Sequence, residues 1–508
     1  MVIKRHTCLG WIICLLSIIN ICNTISCKDD FTSDSSYKLT LSADTLEFDT
    51  IFTQTLSPTA VLKVYNNNKE DINISSLILK SEKNYFKINV NGKTGTQFTD
   101  MKILSGDSLF IFVEFAAGEI GDTLPLLIED EIKFIYNGNI QSIVLSAYGQ
   151  DAHHIKDVTH LSGNVIWYND KPYIVYDSII VDSSATWTIQ EGVTLYMKKN
   201  ASILVKGKII INGTQESEVV FRTDRKDNIT SKISYDQLNN QWGGIRLTSS
   251  SSGNIINHAF IKSGAFGIEI DSAEISEDEY RLTISNSQIH NVQSACLKSF
   301  HANVWAYNSL FTNGNNGCVI LAGGAYQFDH CTISSHQKGL GYYKYALTLS
   351  DSGYYEHPVI IPLPFKARFK NCIIAGDSTI GAKPRPEILI LQSSLTDTLN
   401  YQFDHCLIQT NLSDKEIEED VNHYISIIAN KAPRYVLLDN KLSLYDFHLS
   451  DNSPCKERGD LGIILKNDLY KTDKDGFERN VEAAPDLGAY QIVVKTEESA
   501  DSLANNKQ

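Results

Sequence analysis

The chain has 508 residues, 42% of them hydrophobic, which is enough to build two or three packed domains. Its formal net charge of −15 excludes a nucleic-acid partner, because phosphate backbones are held by clustered Lys and Arg and no such stripe occurs. Residues 1–26 stand apart. Lys4 and Arg5 precede an apolar run, Leu9 to Ile21, too short to span a bilayer comfortably, which is the pattern of a secretory signal peptide.

That signal ends in Thr24-Ile25-Ser26-Cys27, which resembles a bacterial lipobox with Thr24 where Leu is commonest. The resemblance implies lipidation of Cys27; an ordinary signal peptide ending near a Cys is the alternative. Lys28-Asp29-Asp30 follow directly. They resemble the export signal that sends lipoproteins of some Gram-negative bacteria to the outer cell surface, although three charged residues also suit the start of a solvated tether, 27–36. The location so implied is the outer membrane, lipid-anchored and facing the exterior. Several acyl chains on one Cys would hold firmly, since each buried CH₂ adds ~0.8 kcal/mol.

From 37 to 152 the chain reads as short strands with period-two alternation, such as Ala60–Tyr65, Ser108–Phe115 and Ser142–Tyr148, with turns at Asn91-Gly92 and Asn137-Gly138. Leu46-Glu47-Phe48-Asp49, Val64-Tyr65-Asn66-Asn67 and Leu145 to Gln150 resemble the immunoglobulin-like modules that precede repeat domains in bacterial surface proteins. A β-sandwich is expected here.

Six segments further on share one five-residue pattern, with central residues Ala259, Ser287, Ser309, Cys331, Cys372 and Cys406. The centre is small, and the residue before it is Asn or His (His258, Asn286, Asn308, His330, Asn371, His405). The fifth residue is large and apolar, and the residue preceding each segment is apolar too. The centres step by 28, 22, 22, 41 and 34 residues. A period near 22 with insertions marks a solenoid of stacked coils. Trp187 to Val193, Ala201 to Ile211, Val219 to Thr223 and Trp242-Gly243-Gly244-Ile245 lead into these repeats. Together they resemble the right-handed parallel β-helix family over roughly 160–448. The expected fold is therefore all-β, an N-terminal immunoglobulin-like sandwich followed by a right-handed parallel β-helix over 153–448. Phe447 to Cys455, Gly459-Asp460, Arg479 and Asp486 to Tyr490 resemble the closing segment of many such proteins. They set a C-terminal cap at 449–491 and a disordered tail at 492–508.

Three repeat-position histidines invite a metal reading, but coils lie ~4.8 Å apart. His258 and His330 fall three coils apart and His330 and His405 two, too far to share one ion with ligands at ~2.1 Å. A corner ladder of Asn and His bonded to backbone is expected instead. Cys331, Cys372 and Cys406 fill the small position, and Cys296 and Cys318 are one coil apart, so buried free thiols are expected rather than disulfides. Lys471 to Gly476 with Glu482 resembles a calcium loop, but Lys471 occupies a ligand position and no helices flank it. A glycine turn within the cap competes with that reading, and no cofactor or metal is expected.

The paired-Asp motifs of the pectin-cleaving glycosidases on this fold do not occur on the coils. Lyases of the fold use a Lys or Arg base beside carboxylates, and Arg368 and Lys370 flank a corner with Asp404 one coil on. The longest insertion, between Cys331 and Cys372, carries Tyr342, Tyr343, Tyr345, Tyr354 and Tyr355. Aromatic faces stack on sugar rings while hydroxyls hydrogen-bond, so these tyrosines with Arg368 and Lys370 form a candidate glycan platform. Packing of the insertion onto its coil would use the same residues. The expected function is non-catalytic binding of glycan or another cell-surface polymer, with a polysaccharide lyase or a purely structural surface protein as the alternatives.

Overall fold

The computed structural model describes residues 31–493 apart from 82, 123, 226–227, 231, 277, 337–343, 353–362, 377–384 and 394–398. The chain divides into two units between Asp151 and Ala152. Alternation builds the first. In Ser108–Phe115, Leu109, Ile111, Val113 and Phe115 are buried while Phe110 and Phe112 stay exposed, as a strand with one face on a core requires. One five-stranded sheet orders Thr40–Leu41, Ala60–Tyr65, Ser108–Phe115, Phe86–Val90 and Lys93–Gly95. The other orders Thr45–Phe52, Asn139–Gln150, Leu126–Tyr136, Ile72–Lys80 and Gln97–Ile103. Phe48, Phe86, Phe115 and Phe134 fill the space between them. This unit is a β-sandwich.

The second unit is a right-handed parallel β-helix. Eleven parallel strands, from His153–Ile155 to Ile428–Ala429, form one face. A seventeen-stranded sheet supplies the other two faces, its rows joined by Leu297–Tyr307 and Val319–Asp329, which run through a bend without breaking. Gly324 makes that bend possible. Its φ is +97°, and a Cβ there would lie 2.2 Å from the Ala302 carbonyl oxygen, so no side chain fits.

The repeat pattern now has a physical meaning for each position. The apolar residue before each segment forms an inward column in register: Ile256, Ile284, Ala306, Phe328, Phe369, Phe403, then Tyr424. Phe328, Phe369 and Phe403 stack at 5.0 Å spacing. Each buried ring contributes roughly 1.5–3 kcal/mol by area. The Asn or His that follows sits in left-handed backbone in all six segments, with φ between 47° and 55°. This is why these types recur, since short polar side chains enter that region more readily than others. Asn308 donates to Asn286 Oδ1 (3.2 Å) and Asn371 Nδ2 meets His330 Nε2 (2.9 Å), so the side-chain ladder runs in pairs.

The small central residue does more than fill space. Ser287, Ser309, Cys331, Cys372 and Cys406 each donate to the carbonyl two residues back, at 2.6–3.4 Å. Their Oγ or Sγ also accepts an amide from the preceding coil, as for Ala259 to Ser287, Ser287 to Ser309, Cys331 to Cys372 and Cys372 to Cys406. The thiols stand in for serine hydroxyls at the corner. All six cysteines of the described residues are free and buried, and burial pushes the Cys372 and Cys406 thiols well above the usual range, which keeps them protonated.

The coil interior closes at one end on Trp167, stacked 4.0 Å from Tyr173, and at the other on Tyr424 and Ile417 of a short helix, Asp414–Glu419. The segment after Leu449 lies along the flank of the coils as a strap. Its contacts run from Asn371, which accepts from Gly488 N (2.8 Å), to Glu218, which pairs with Lys474 (2.8 Å). Between them Arg479 donates to Asn308 Oδ1 (3.0 Å) and Ala489 N to Thr332 Oγ1 (3.1 Å). Six adjacent strands separate these anchor points inclusively, a span of ~24 Å. Among the described residues no helix is long and apolar enough to cross a membrane.

Candidate functional site

Cys27, Lys28, Asp29, Asp30, Tyr342, Tyr343, Tyr354 and Tyr355 lie outside the described residues. Tyr345 is partly buried. Strand Leu347–Ser350 pairs in register with Val319–Ala322 and with Ile388–Leu391. The long insertion is therefore two stretches attached at opposite ends of one coil strand, and the second leads into Phe365–Lys370, which carries Arg368 and Lys370.

Those two basic side chains face outward beside a buried carboxylate. Asp329, with a fully buried side chain, accepts from Arg368 Nη2 (3.0 Å), Trp305 Nε1 (3.1 Å), Gln327 Nε2 (2.6 Å) and Tyr470 OH (2.8 Å). Burial and the Asp329 charge raise the Tyr470 hydroxyl far above its usual range, so it remains a donor. Lys370 is held by Asp404 (2.6 Å) and Asp460 (2.5 Å). Burial alone would lower the Lys370 ammonium, but the two carboxylates hold it above its ordinary value. Lys370 thus ties strap to coil, while Arg368 keeps 41% of its side chain exposed and its Nε has no hydrogen-bond partner among the described residues.

Register places Thr283, Trp305, Gln327, Arg368 and Gln402 in one outward column. Trp305 packs against Tyr307 (4.8 Å) and against Tyr280 (5.8 Å), a residue 38% exposed. The face therefore offers fixed aromatic rings, amides and a guanidinium at ~4.8 Å coil intervals. Sequence reading reached Arg368 but passed over Trp305, Tyr280 and Gln327. The available signal was alternation, because the residue three before each repeat's Asn/His must point outward whenever its successor points in.

The loop read against a calcium site has its carboxylates engaged. Asp473 accepts the amides of Asp475 and Phe477 (both 2.9 Å) and Gln491 (2.8 Å), while Asp475 pairs with His448 (3.0 Å). Gly476, at φ +80°, closes a turn bridged by Thr472 and Glu478. Among the described residues no cluster of three His, Cys, Asp or Glu could hold a metal ion.

No known family profile matches the chain. Over 191 residues, 33% of its length, it is 28% identical to Protein bark beetle of Drosophila melanogaster, of which it spans 6%. Among solved structures, the catalytic unit of a GH87 alpha-1,3-glucanase from Streptomyces thermodiastaticus aligns over 68% of this chain and 77% of its own, at 9% identity and TM-score 0.24. A family 123 glycoside hydrolase from Clostridium perfringens aligns over 25% of this chain and 26% of its own, at 9% identity and TM-score 0.17. The PapD-like domain of human CEP192 aligns over 24% of this chain and 89% of its own, at 11% identity and TM-score 0.16. At such scores these likenesses carry no argument, and the fold rests on the strand registers.

Proposed function

We propose that this is a cell-surface lipoprotein whose β-helix binds glycan without cleaving it. The reading rests on Trp305 and Arg368, two coils apart on one outward column and both hydrogen-bonded to the same buried Asp329. Holding both side chains in place before binding lowers the ordering cost that a flexible platform would incur. An aromatic face suits the apolar side of a sugar ring, and a guanidinium suits its carboxylate or hydroxyls. Binding is favoured over cleavage because Asp329 accepts four hydrogen bonds and Lys370 is held by two carboxylates, which leaves neither poised to move a proton. The tyrosines of the insertion, Tyr342, Tyr343, Tyr345, Tyr354 and Tyr355, would extend this platform.

The test is retention of the full chain on acidic and neutral polysaccharides, followed by ultraviolet absorbance for unsaturated ends. Trp305→Ala with Arg368→Gln should weaken retention at least about tenfold, and Trp305→Phe, which keeps a ring, should weaken it less. Undiminished retention in the double variant removes the site, and new unsaturated ends would make the protein a lyase.

A further inference from the structure

On the eleven-stranded face, well away from Arg368 in the coil circuit, a second outward column joins Tyr196, Arg222, Lys262, His290 and Thr312. Tyr196 pairs with Arg222, Lys262 with His290, and His290 with Thr312, while Phe221 opposite Ile261 sets Arg222 beside Lys262. Arg222, Lys262 and His290 are separated by 40 and 28 residues in sequence, and the coil stacks them at ~4.8 Å steps. Two walls rise over this column. One is the insertion between Thr223 and Trp242; the other is the hairpin of Tyr435–Asp439 with Leu444–Leu449. They enclose a cleft of about 590 Å³.

The cleft is a built feature. Arg222 donates to Asp236 of the insertion through Nε (3.1 Å) and Nη2 (2.8 Å), and Lys262 Nζ pairs with the same carboxylate. Asn291 Nδ2 holds the Gln237 carbonyl (2.8 Å), Ser263 Oγ holds that of Asp236 (3.0 Å), and Gln237 Nε2 reaches the Leu442 carbonyl of the hairpin (3.0 Å). Both walls are thereby fixed to the coil and to each other.

Its charge runs against that of the protein. Lys262 and Lys232 line the cleft with Asp236 as the one carboxylate among its lining residues, and that carboxylate is shared with Arg222, in a chain whose net charge is −15. Burial lowers the Lys262 ammonium, an effect that Asp236 opposes, so an incoming anion would relieve an under-compensated cation. His290 is fixed through Nδ1 to Thr312 Oγ1 (2.8 Å), and burial lowers its pKa to about 3, so the ring is neutral. Its Nε2 has no hydrogen-bond partner among the described residues, and the ring lines the cleft. Around this polar floor stand the rings of Phe260 and Tyr445 and the amide of Gln288. Cations alone would suit any small anion; rings and amides at the same place suit a sugar.

We propose that this cleft is a second binding site, which takes the carboxylate-bearing ring of an acidic sugar, with Lys262 at the carboxylate and Tyr445, Gln288 and His290 around the ring. The site stands whether or not the Trp305–Arg368 face binds glycan. The experiment is titration calorimetry of the full chain with D-glucuronate, D-glucose and acetate as probes. Glucuronate should bind saturably, at least about tenfold more tightly than either glucose or acetate, and added salt should weaken it. Lys262→Gln and Gln288→Ala should each weaken glucuronate about tenfold, while Lys415→Gln on the exposed helix Asp414–Glu419, outside both columns, should leave it unchanged. Gln288→Ala alters only an outward amide, so it decides the matter if Lys262→Gln fails to fold. Acetate binding as tightly as glucuronate would overturn the sugar assignment. No saturable glucuronate binding, or binding unmoved by Gln288→Ala in folded protein, would overturn the site.

Discussion

Asn371 lets the corner's backbone demand be separated from its hydrogen bonds. It is fully buried, with φ 55°. Its side chain makes three bonds: Nδ2 to His330 Nε2 (2.9 Å), Nδ2 to the Asp460 carbonyl (3.2 Å), and Oδ1 from Asp460 N (2.7 Å). Asn371→Gly keeps the left-handed conformation at no steric cost and removes all three, a loss of about 3 kcal/mol at ~1 kcal/mol net each. Asn371→Ala removes the same bonds and adds about 1–2 kcal/mol for forcing a Cβ into that region. Alanine should therefore be the worse of the two by that margin, reversing their order in ordinary backbone, where glycine is the more costly. In protein lacking residues 1–26, which hold Trp11, urea unfolding followed by tryptophan fluorescence reads the β-helix alone, because the other four tryptophans, Trp167, Trp187, Trp242 and Trp305, all lie in the second unit. Equal losses for glycine and alanine would refute the conformational reasoning. A neutral glycine variant would refute the contribution of the three bonds.

The strap should respond to pH through His448, which lies between Asp446 (2.6 Å) and Asp475 (3.0 Å). Burial alone would lower this imidazole, but the carboxylates hold it above 6.5, so its contribution is complete below 6.5 and lost as pH rises through the raised folded value. Burial would raise Asp475, but His448 and Lys474 hold it below 3.8, so its share persists down to that value. Hydrogen exchange around 444–449 and 473–478, corrected for intrinsic rates, should be slowest between about pH 4 and 6.5, and His448→Gln should flatten the rise above it. For the proposed anchor, Cys27→Ala should release the protein from membranes. Replacing Lys28, Asp29 and Asp30 by Ala should keep it membrane-bound but shield it from added protease; unchanged protease access would remove the export signal.

The β-helix was legible because each coil repeats its stereochemical needs. Asn and His mark the left-handed corner, a small donor follows, and an apolar residue precedes. A second left-handed column, Ser263, Asn291 and Asn313, five residues after the first, went unnoticed because its residue types vary and it sits where insertions begin. The strap's local turns show in the sequence, but its path does not. Lys474 and Glu218 are 256 residues apart, and nothing local specifies that they meet. The cleft was hidden for a related reason, since insertions of unequal length scatter Arg222, Lys262 and His290 until the coils align them. The Asp329 cluster was half visible, Arg368 by its charge and Trp305 only by its place in the alternation.

A stack of coils in which each touches only its neighbours behaves as a one-dimensional lattice, and such lattices fray from their ends at little cost. The strap changes the dimensionality. By fastening the coil of Asn371 to the coil of Glu218, it gives the column a second load path parallel to its axis. Opening an intermediate rung then means either stretching the strap or breaking its bonds several rungs away. Under a pulling force or a thermal ramp, those coils should yield as one block while the strap holds, and peel singly once it is detached.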